Sequence, residues 1–122
     1  MLVNNKIPFV SEDLKMQDAL KILSNKKLGV LIAQNKKKKT TGIITDGQIR
    51  RFNEKKLNLN TMKVKDIMTK NPISIDKNQL AAKALSLMNS KKITSLCVYD
   101  NKNKFKTIGI IHIHNILQSN IS

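Results

Sequence analysis

The sequence predicts an α+β fold in which one β-α-β-β-α unit occurs twice in tandem. The first observation is an internal echo, since Gly42-Ile43-Ile44-Thr45 returns near the C-terminus as Gly109-Ile110-Ile111-His112. In both copies polar residues stand three and six positions after the glycine, and an isoleucine follows. A β-branched strand that runs into the first turn of a helix fits this pattern, because short polar side chains accept hydrogen bonds from the first N–H groups of a helix.

The second observation is that the echo extends over the whole chain. Matching features of the two halves are separated by nearly constant distances, as duplication of a unit of about 55–60 residues requires. The matches are Pro8 with Pro72 at 64 residues, Ala19-Leu20 with Ala84-Leu85 and Lys26-Lys27 with Lys91-Lys92 at 65, and Gly42 with Gly109 at 67. We therefore assign residues 1–60 to the first repeat and 61–122 to the second. Met1 would match Met68, so we expect the first repeat to be truncated at its N-terminal edge.

The first repeat begins with an extended segment and an amphipathic helix that Ser11 or Asp13 can cap. The predicted elements are an extended piece at 7–10, a helix with the apolar face Met16, Ala19, Leu20 and Leu23, strands at 28–33 and 41–45, and a helix at 46–56 with Ile49 and Phe52 inward. The four adjacent lysines at 36–39 repel one another and cannot be buried together, so they predict a solvated turn between the strands.

The second repeat follows the same plan after a polar joint at 58–63. Asp76 and Gln79 have the spacing of a capping box for its first long helix. The predicted elements are a helical turn at 64–68, an extended piece at 71–75, a helix with Leu80, Ala81, Ala84, Leu85 and Met88 on one face, strands at 93–99 and 107–112, and a final helix at 115–119.

Composition limits the class of protein. No apolar run approaches the roughly 18–20 residues that a membrane span needs. The single cysteine, Cys97, cannot form an internal disulfide and lies in an apolar run, so we expect a buried thiol and a cytoplasmic protein.

The net charge of +15 resembles the charge of a nucleic-acid-binding protein, but its residue types do not. All but two of the 23 basic residues are lysine, and lysine, asparagine and isoleucine share A/T-rich codons. Arginines and aromatic residues, which read and stack on bases, are scarce. We therefore do not expect nucleic acid to be the main partner, and we expect the charge to favour small anions.

Neither a catalytic nor a metal site is predicted. The chain has no nucleophile motif, no dinucleotide-binding glycine motif and no P-loop. His112 and His114 share a face if they lie in a strand, but two ligands without a nearby cysteine or carboxylate cluster are too few for a metal. The strand-to-helix junctions instead predict an anion site, because backbone N–H groups and the helix dipole meet there.

The doubled unit, with Gly-apolar-apolar-Thr at 42–45 and the entry segment Val64-Lys65-Asp66-Ile67-Met68-Thr69, resembles a pair of CBS domains, also called a Bateman module. Together with Lys92-Ile93-Thr94-Ser95 and His112-Ile113-His114, it is most similar to the C-terminal CBS pair of arabinose-5-phosphate isomerases. The resemblance implies two repeats related by a pseudo-two-fold axis, with ligand clefts between them. It also implies a catalytic sugar-isomerase domain that is absent from this chain, in the pathway to the Kdo sugar of lipopolysaccharide.

The resemblance also implies which residues meet a ligand. Thr45 and His112 take the position near phosphate, while Gln48 and Asn115 take the position of an aspartate that binds ribose in relatives. An amide offers one carbonyl acceptor where a carboxylate accepts two charge-assisted bonds, so a negatively charged sugar nucleotide, first of all CMP-Kdo, is favoured over adenosine. The full set expected at the ligand is Thr45, Asp46, Gln48, Arg50, Arg51, Lys92, Thr94, Ser95, His112 and Asn115.

Some of these residues have a simpler interpretation. Asp46 can be only the N-cap of its helix, Thr94 and Ser95 can only begin a strand, and His112 can serve a helix start. Three functions remain open: a non-enzymatic regulatory module that binds an anionic effector and dimerises, a structural assembly module without ligand, and a nucleic-acid-binding accessory domain. No cofactor is required by any of them, although a nucleotide or CMP-Kdo can be bound.

Overall fold

A computed structural model describes residues 2–3, 7–26, 29–56, 58–79, 81–93, 95–100 and 103–112. The chain divides into two compact units, and each contains a four-stranded sheet. The first unit is residues 8–71, and the second unit is residues 1–7 together with 72–122. The elements are β1 (Leu2–Val3), β2 (Phe9–Ser11), α1 (Met16–Lys26), β3 (Val30–Gln34), β4 (Thr40–Thr45), α2 (Asp46–Glu54), a 3-10 turn (Leu59–Thr61), α3 (Val64–Ile67), β5 (Thr69–Lys70), β6 (Ser74–Asp76), α4 (Ala81–Lys91), β7 (Ser95–Tyr99) and β8 (Gly109–His112).

The sheet of the first unit has the order β2-β3-β4-β5. Strands β2 and β3 are parallel, so the chain must cross over between them, and α1 is that crossover. Strands β3 and β4 form an antiparallel hairpin, and four of the five residues of β3 are buried, as a strand covered on both faces requires. The lysines at 36–39 are exposed in the hairpin turn, as predicted.

The second unit repeats this arrangement with the order β1-β8-β7-β6. Thr45 lies opposite Val30 in the first hairpin, and His112 lies opposite Ser95 in the second. The two ladders therefore correspond at the distances of 65 and 67 residues that the sequence predicts. The prediction of an α+β fold from a repeated unit is confirmed.

The alignment of Pro8 with Pro72 is wrong by one residue. The N–H of Ile32 donates to the carbonyl of Pro8 at 3.0 Å, and the N–H of Cys97 donates to the carbonyl of Ile73 at 3.3 Å. Pro8 therefore corresponds to Ile73, because these two bonds are the same in both sheets. Each proline marks the start of an extended segment without fixing the register of the strand.

Two short edge strands are not predicted from the sequence. Strand β5 pairs with β4, and β1 pairs with β8, in both cases at the repeat glycine and the isoleucine after it. Each sheet thus gains one edge strand from the other half of the sequence. Residues 61–71 fold with the first unit and 1–7 with the second. The division of the sequence into repeats at 60/61 stays a prediction about duplication.

The helix faces supply the cores. Met16, Ala19 and Leu23 are buried, and Leu20 packs against them. The other helix positions predicted to face the core are at least half-buried. Ile49, Ala84 and Met88 are buried, and Phe52 and Leu85 are half-buried. Leu80, the side chain of Ala81 and the predicted final helix at 115–119 lie outside the described residues.

The predicted helix starts are only partly correct. The hydroxyl of Ser11 accepts from the N–H of Asp13 at 3.1 Å, and α1 begins later at Met16, so neither residue caps it. The N–H of Asp76 donates to Oε1 of Gln79 at 2.9 Å, as in a capping box, but the Asp76 carboxylate accepts from Asn78. In both units a tight turn separates the parallel strand from its helix, and the polar residues close that turn.

Residue 42 must be glycine because Met68, between α3 and β5, passes close to it. A Cβ atom at this position would lie 2.4 Å from Sδ of Met68 and 2.9 Å from its Cβ. The second of these atoms cannot move without the backbone, so β4 accepts Met68 over it only because residue 42 has no side chain.

We expect Gly42→Ala to lower the free energy of unfolding by about 1–3 kcal/mol, because the added methyl group overpacks the contact with Met68. Gly47→Ala is the matched control, since its Cβ would meet nothing closer than Arg51 Nη1 at 3.6 Å. That variant is expected to be as stable as the parent or more stable by about 0.5–1 kcal/mol, because alanine is favoured over glycine in a helix. Urea unfolding measures both, and equal stabilities would contradict the steric account.

Candidate functional site

The junction of β4 and α2 is the first candidate site. Thr45 ends the strand and is the N-cap of the helix, and its Oγ1 accepts from the N–H of Gln48 at 3.3 Å. The N–H of Asp46 donates to the carbonyl of Gly29 at 3.0 Å, which fastens the first turn of α2 to the start of β3. The strand-to-helix transition predicted after Gly42 is therefore present, and two hydrogen bonds fix it.

Asp46 is exposed in the first turn of α2, where a negative charge is favoured by the helix dipole. Its interpretation as the N-cap is wrong, because Thr45 takes that position. The Asp46 carboxylate lies against Gly29: a Cβ there would be 2.8 Å from Oδ2, and Gly29 has a φ of +70°. Contact of Asp46 with a ligand stays a prediction.

Gln48 has a structural contact. Its side chain is only 8% exposed, and Nε2 donates to the carbonyl of Ile67 at 2.6 Å. The amide thereby joins the first turn of α2 to the end of α3, just before Met68 and β5. Its predicted role toward a ribose stays a prediction, now for a side chain whose donor is already engaged.

Arg50 and Arg51 are both exposed on α2, but the position of Arg51 is informative. Its Nη1 lies 3.6 Å from the position of a Cβ on Gly47, so the guanidinium folds back toward the first turn of the helix. The ion pairs between described residues are Lys65–Asp13 and Lys77–Asp100, and neither includes Arg51. The guanidinium thus lies near the positive end of the helix dipole, in a turn whose own acidic residue is Asp46, and a further anion at this turn would be attracted by both the arginine and the dipole.

The second junction is described only in part. Ser95 is buried at the start of β7 opposite His112, whose backbone lies in β8. Lys92 is exposed just after α4 with a φ of 56°, and the N–H of Ile93 donates back to the carbonyl of Met88 at 3.0 Å. Lys92 thus follows the last residue of α4 and ends the helix. Thr94, Asn115 and the side chain of His112 lie outside the described residues.

Three of the predicted site residues, Thr45, Asp46 and Gln48, therefore lie at the first turn of α2, and the guanidinium of Arg51 reaches back to it from the last turn. The sequence does not single out Gly29, Gly47 or the Ile67 carbonyl, although these groups hold that turn in place. A glycine one residue before the buried strand was the available signal for Gly29. The Ile67 carbonyl has no sequence signal, because any residue can supply it.

No group of three His, Cys, Asp or Glu residues capable of holding a metal ion occurs in the described ranges. Within the same ranges, no helix has the length and apolar character needed to cross a bilayer.

The family model of the CBS domain matches this chain twice, at residues 2–55 and 64–121. The chain belongs to the CBS domain family. Each match corresponds to one of the two sequence repeats, and the resemblance to a CBS pair is confirmed.

Curated relatives agree with the finer resemblance. Arabinose 5-phosphate isomerase of Yersinia pestis is 36% identical over 121 residues, which is 99% of this chain and 36% of that protein. An uncharacterized protein of Rickettsia prowazekii is 38% identical over 100% of this chain and 37% of its own length. The chain thus spans about a third of the length of these relatives.

Solved structures agree with the fold. The structure of CBSX2 in complex with AMP has a TM-score of 0.82 at 22% identity and covers 98% of this chain and 90% of that one. A CBS domain protein of Pyrobaculum aerophilum complexed with AMP has a TM-score of 0.81 at 14% identity and covers 95% and 90%. At these identities the likeness establishes the fold.

The buried thiol of the CBS pair lies away from the strand ends. Cys97 is 2% exposed in the middle of β7, as predicted, and it is a free cysteine. Burial raises the pKa of the Cys97 thiol to about 11, although a hydrogen bond with Thr107 acts in the opposite direction. The thiol is therefore neutral at physiological pH and unsuited to nucleophilic chemistry.

Replacing Gln48 tests its contact with Ile67. We expect Gln48→Met, which keeps the length of the side chain, to lower the free energy of unfolding by about 1–3 kcal/mol because a buried carbonyl loses its donor. The control is Gln17→Met on the exposed face of α1, where no such loss occurs. Chemical unfolding of both variants measures the difference, and a Gln48→Met protein as stable as Gln17→Met would refute the assignment.

The pKa of Cys97 predicts a pH dependence of stability. The thiol ionises near pH 9 in the unfolded chain and near 11 in the folded one. Between these values the unfolded state releases the proton first, so stability falls as pH rises from 9 to 11, by up to about 2–3 kcal/mol. Cys97→Ala is the control, because it removes the thiol and leaves every other titratable group in place. The difference in free energy of unfolding between parent and variant should shrink over this window, and a constant difference would contradict the pKa shift.

Proposed function

We propose that this CBS pair is a regulatory module that binds a phosphate-bearing small molecule at the first turn of α2. The observation that carries the proposal is the unpaired guanidinium of Arg51 beside Gly47, at the positive end of the helix. Thr45 and Asp46 fix the backbone of the same turn through the hydrogen bonds to Gln48 and Gly29. An anionic oxygen at this turn would meet the guanidinium and the helix dipole together.

The proposed ligand is a nucleotide or a sugar nucleotide. Two proteins with this fold are complexes with AMP, which supports a nucleoside phosphate as the general class. CMP-Kdo is our first specific candidate, because the sugar acid adds a second anionic group for the strongly basic chain. The other residues proposed to contact ligand are Arg50, Gln48, Lys92, Thr94, Ser95, His112 and Asn115.

The proposed parent is a cytoplasmic arabinose-5-phosphate isomerase of the Kdo pathway, in which this chain carries no catalysis. The support is the identity of 36% to such an isomerase over 99% of the chain, which covers 36% of that protein. In this proposal the module forms a homodimer and transmits ligand occupancy to a sugar-isomerase domain of the parent. Only a ligand whose affinity differs between two conformations of the module can do so.

A second candidate function is a ligand-free assembly module. The observation that favours it is the hydrogen bond of 2.6 Å from Gln48 to Ile67, because this amide is then withdrawn from a ligand. The two candidates differ in a simple property, since an assembly module is not stabilised by any small anion.

The experiment is a thermal-shift titration with AMP, CMP and CMP-Kdo. It is run on the unsubstituted chain and on two variants that each lack one positive charge. A ligand at 100 times its Kd stabilises the folded state by about 2.7 kcal/mol, which raises the Tm by several degrees. We expect Arg51→Gln to remove most of this shift. Lys55→Gln removes the same charge from an exposed residue at the far end of the same helix and is expected to retain the larger part of it.

Equal losses in the Arg51→Gln and Lys55→Gln variants would attribute the response to net charge and refute the site at the first turn of α2. The absence of a shift with all three compounds would reject the regulatory proposal and favour the assembly module, whose oligomeric state light scattering would then measure.

A further inference from the structure

The turn between β7 and β8 exposes an aromatic ring between two lysines. Phe105 is 56% exposed and is the one large apolar side chain in the described part of the chain that is strongly exposed. Lys104 and Lys106 on either side are exposed as well. We name residues 103–106 the β7–β8 tip.

The tip has a defined backbone. Oδ1 of Asn103 accepts from the N–H of Phe105 at 3.3 Å, and the N–H of Lys106 donates to the carbonyl of Asn103 at 3.2 Å. Directly after the tip Thr107 is buried, so the chain returns to the core within one residue. Phe105 is thus presented on a short and constrained turn, where ordering it against a partner costs little additional entropy.

The charge around the tip is positive. The nearest acidic residue before it in the sequence is Asp100, and its Oδ2 lies 3.0 Å from Nζ of Lys77. That ion pair compensates the carboxylate, so it offsets little of the charge of Lys104 and Lys106. The hairpin turn of the first unit, at 36–39, has four lysines where the tip has two and is closed by Asn35 in a similar way, but it has no aromatic residue.

Three kinds of polyanionic partner fit a basic turn, and the geometry distinguishes them. A specific protein interface buries about 800 Å² on each partner, far more than a turn of four residues offers. Single-stranded nucleic acid is bound by several aromatic residues that stack on successive bases, whereas one ring is strongly exposed here. An anionic bilayer needs only a small apolar wedge with basic residues beside it, because the remaining attraction comes from diffuse surface charge.

We propose that the β7–β8 tip is a peripheral membrane-docking element, in which Phe105 inserts at the interface of an anionic bilayer while Lys104 and Lys106 contact lipid headgroups. Binding of this kind is weak and reversible, since a single ring buries little area. The turn at 36–39 adds long-range attraction without insertion. This proposal is independent of the ligand at α2.

Vesicle sedimentation tests the proposal, with phosphatidylcholine vesicles that contain or lack phosphatidylglycerol. The unsubstituted chain is expected to bind only the anionic vesicles. Phe105→Ser should weaken that binding about tenfold, because the transfer of the ring is lost. Lys104→Gln with Lys106→Gln should weaken it by about fivefold per lysine. Unchanged Tm values establish that the variants fold.

The matched control is Lys36→Gln with Lys37→Gln, which removes the same charge from the turn that has no ring. We expect a smaller loss of binding than in the double variant of the tip. Equal losses in the two double variants, together with no effect of Phe105→Ser, would reduce the interaction to net charge and overturn the proposal.

A spectroscopic readout tests insertion directly. The chain has no tryptophan, so Phe105→Trp introduces a single reporter. Its emission should shift to shorter wavelength with anionic vesicles and stay unchanged with neutral ones. No shift would overturn the proposal, and so would a response to single-stranded DNA in place of vesicles, which would identify nucleic acid as the partner.

Discussion

The antiparallel ladder of β3 and β4 determines where the candidate site lies. Its register sets Thr45 opposite Val30, and the bond from Asp46 N–H to the Gly29 carbonyl continues the connection into the first turn of α2. A slip of one residue would turn each side chain of β4 to the opposite face of the sheet and move the strand end away from Gly29. The position of Arg51 depends on the same register, because the helix that carries it starts where the ladder stops.

The second unit has an antiparallel ladder in the same register as the first, but different residues occupy it. Ile32 of the first hairpin corresponds to Cys97, and Val30 corresponds to Ser95, yet both second-unit residues are buried in the same paired positions. A sheet buried on both faces constrains volume and β propensity more than it constrains the identity of the end residues. The duplicated fold can therefore hold two strand ends with different polar groups, so the two junctions need not recognise the same part of a ligand.

The elements that the sequence predicts well are those with a long apolar pattern. The buried run of β3 and the face of α1 with Met16 and Ala19 are examples, because burial of that many side chains overrides local alternatives. Strands β1 and β5 have two residues each and owe their conformation to pairing with β8 and β4. They are too short for an alternating apolar pattern to predict them from the sequence. The same holds for the turn that Ser11 closes, which looks like a helix cap until the parallel register of β2 is known.

In the candidate site, too, local sequence signals are predictable and tertiary contacts are not. A threonine before a helix is a local signal, and Thr45 is found as the N-cap. The inward bond of Gln48 to Ile67 is a tertiary contact between residues 19 apart, which a motif-based assignment of Gln48 to a ligand cannot anticipate. The sequence pattern predicts the strand-to-helix junction at Thr45, which the structure contains, whereas the hydrogen bonds of each side chain depend on the segment that packs over it.

The high lysine content also becomes interpretable from the backbone. Lys38, Lys56 and Lys92 occupy left-handed conformations at a hairpin turn and two helix ends, positions where glycine is ordinarily preferred. Lysine thus fills turns in a chain with only four glycines, and its charge is distributed wherever the chain reverses. Charge placed in this way is solvated and does not locate a small-molecule site. A cation is informative about such a site when it lies beside the first turn of a helix, as the Arg51 guanidinium lies beside Gly47 in α2.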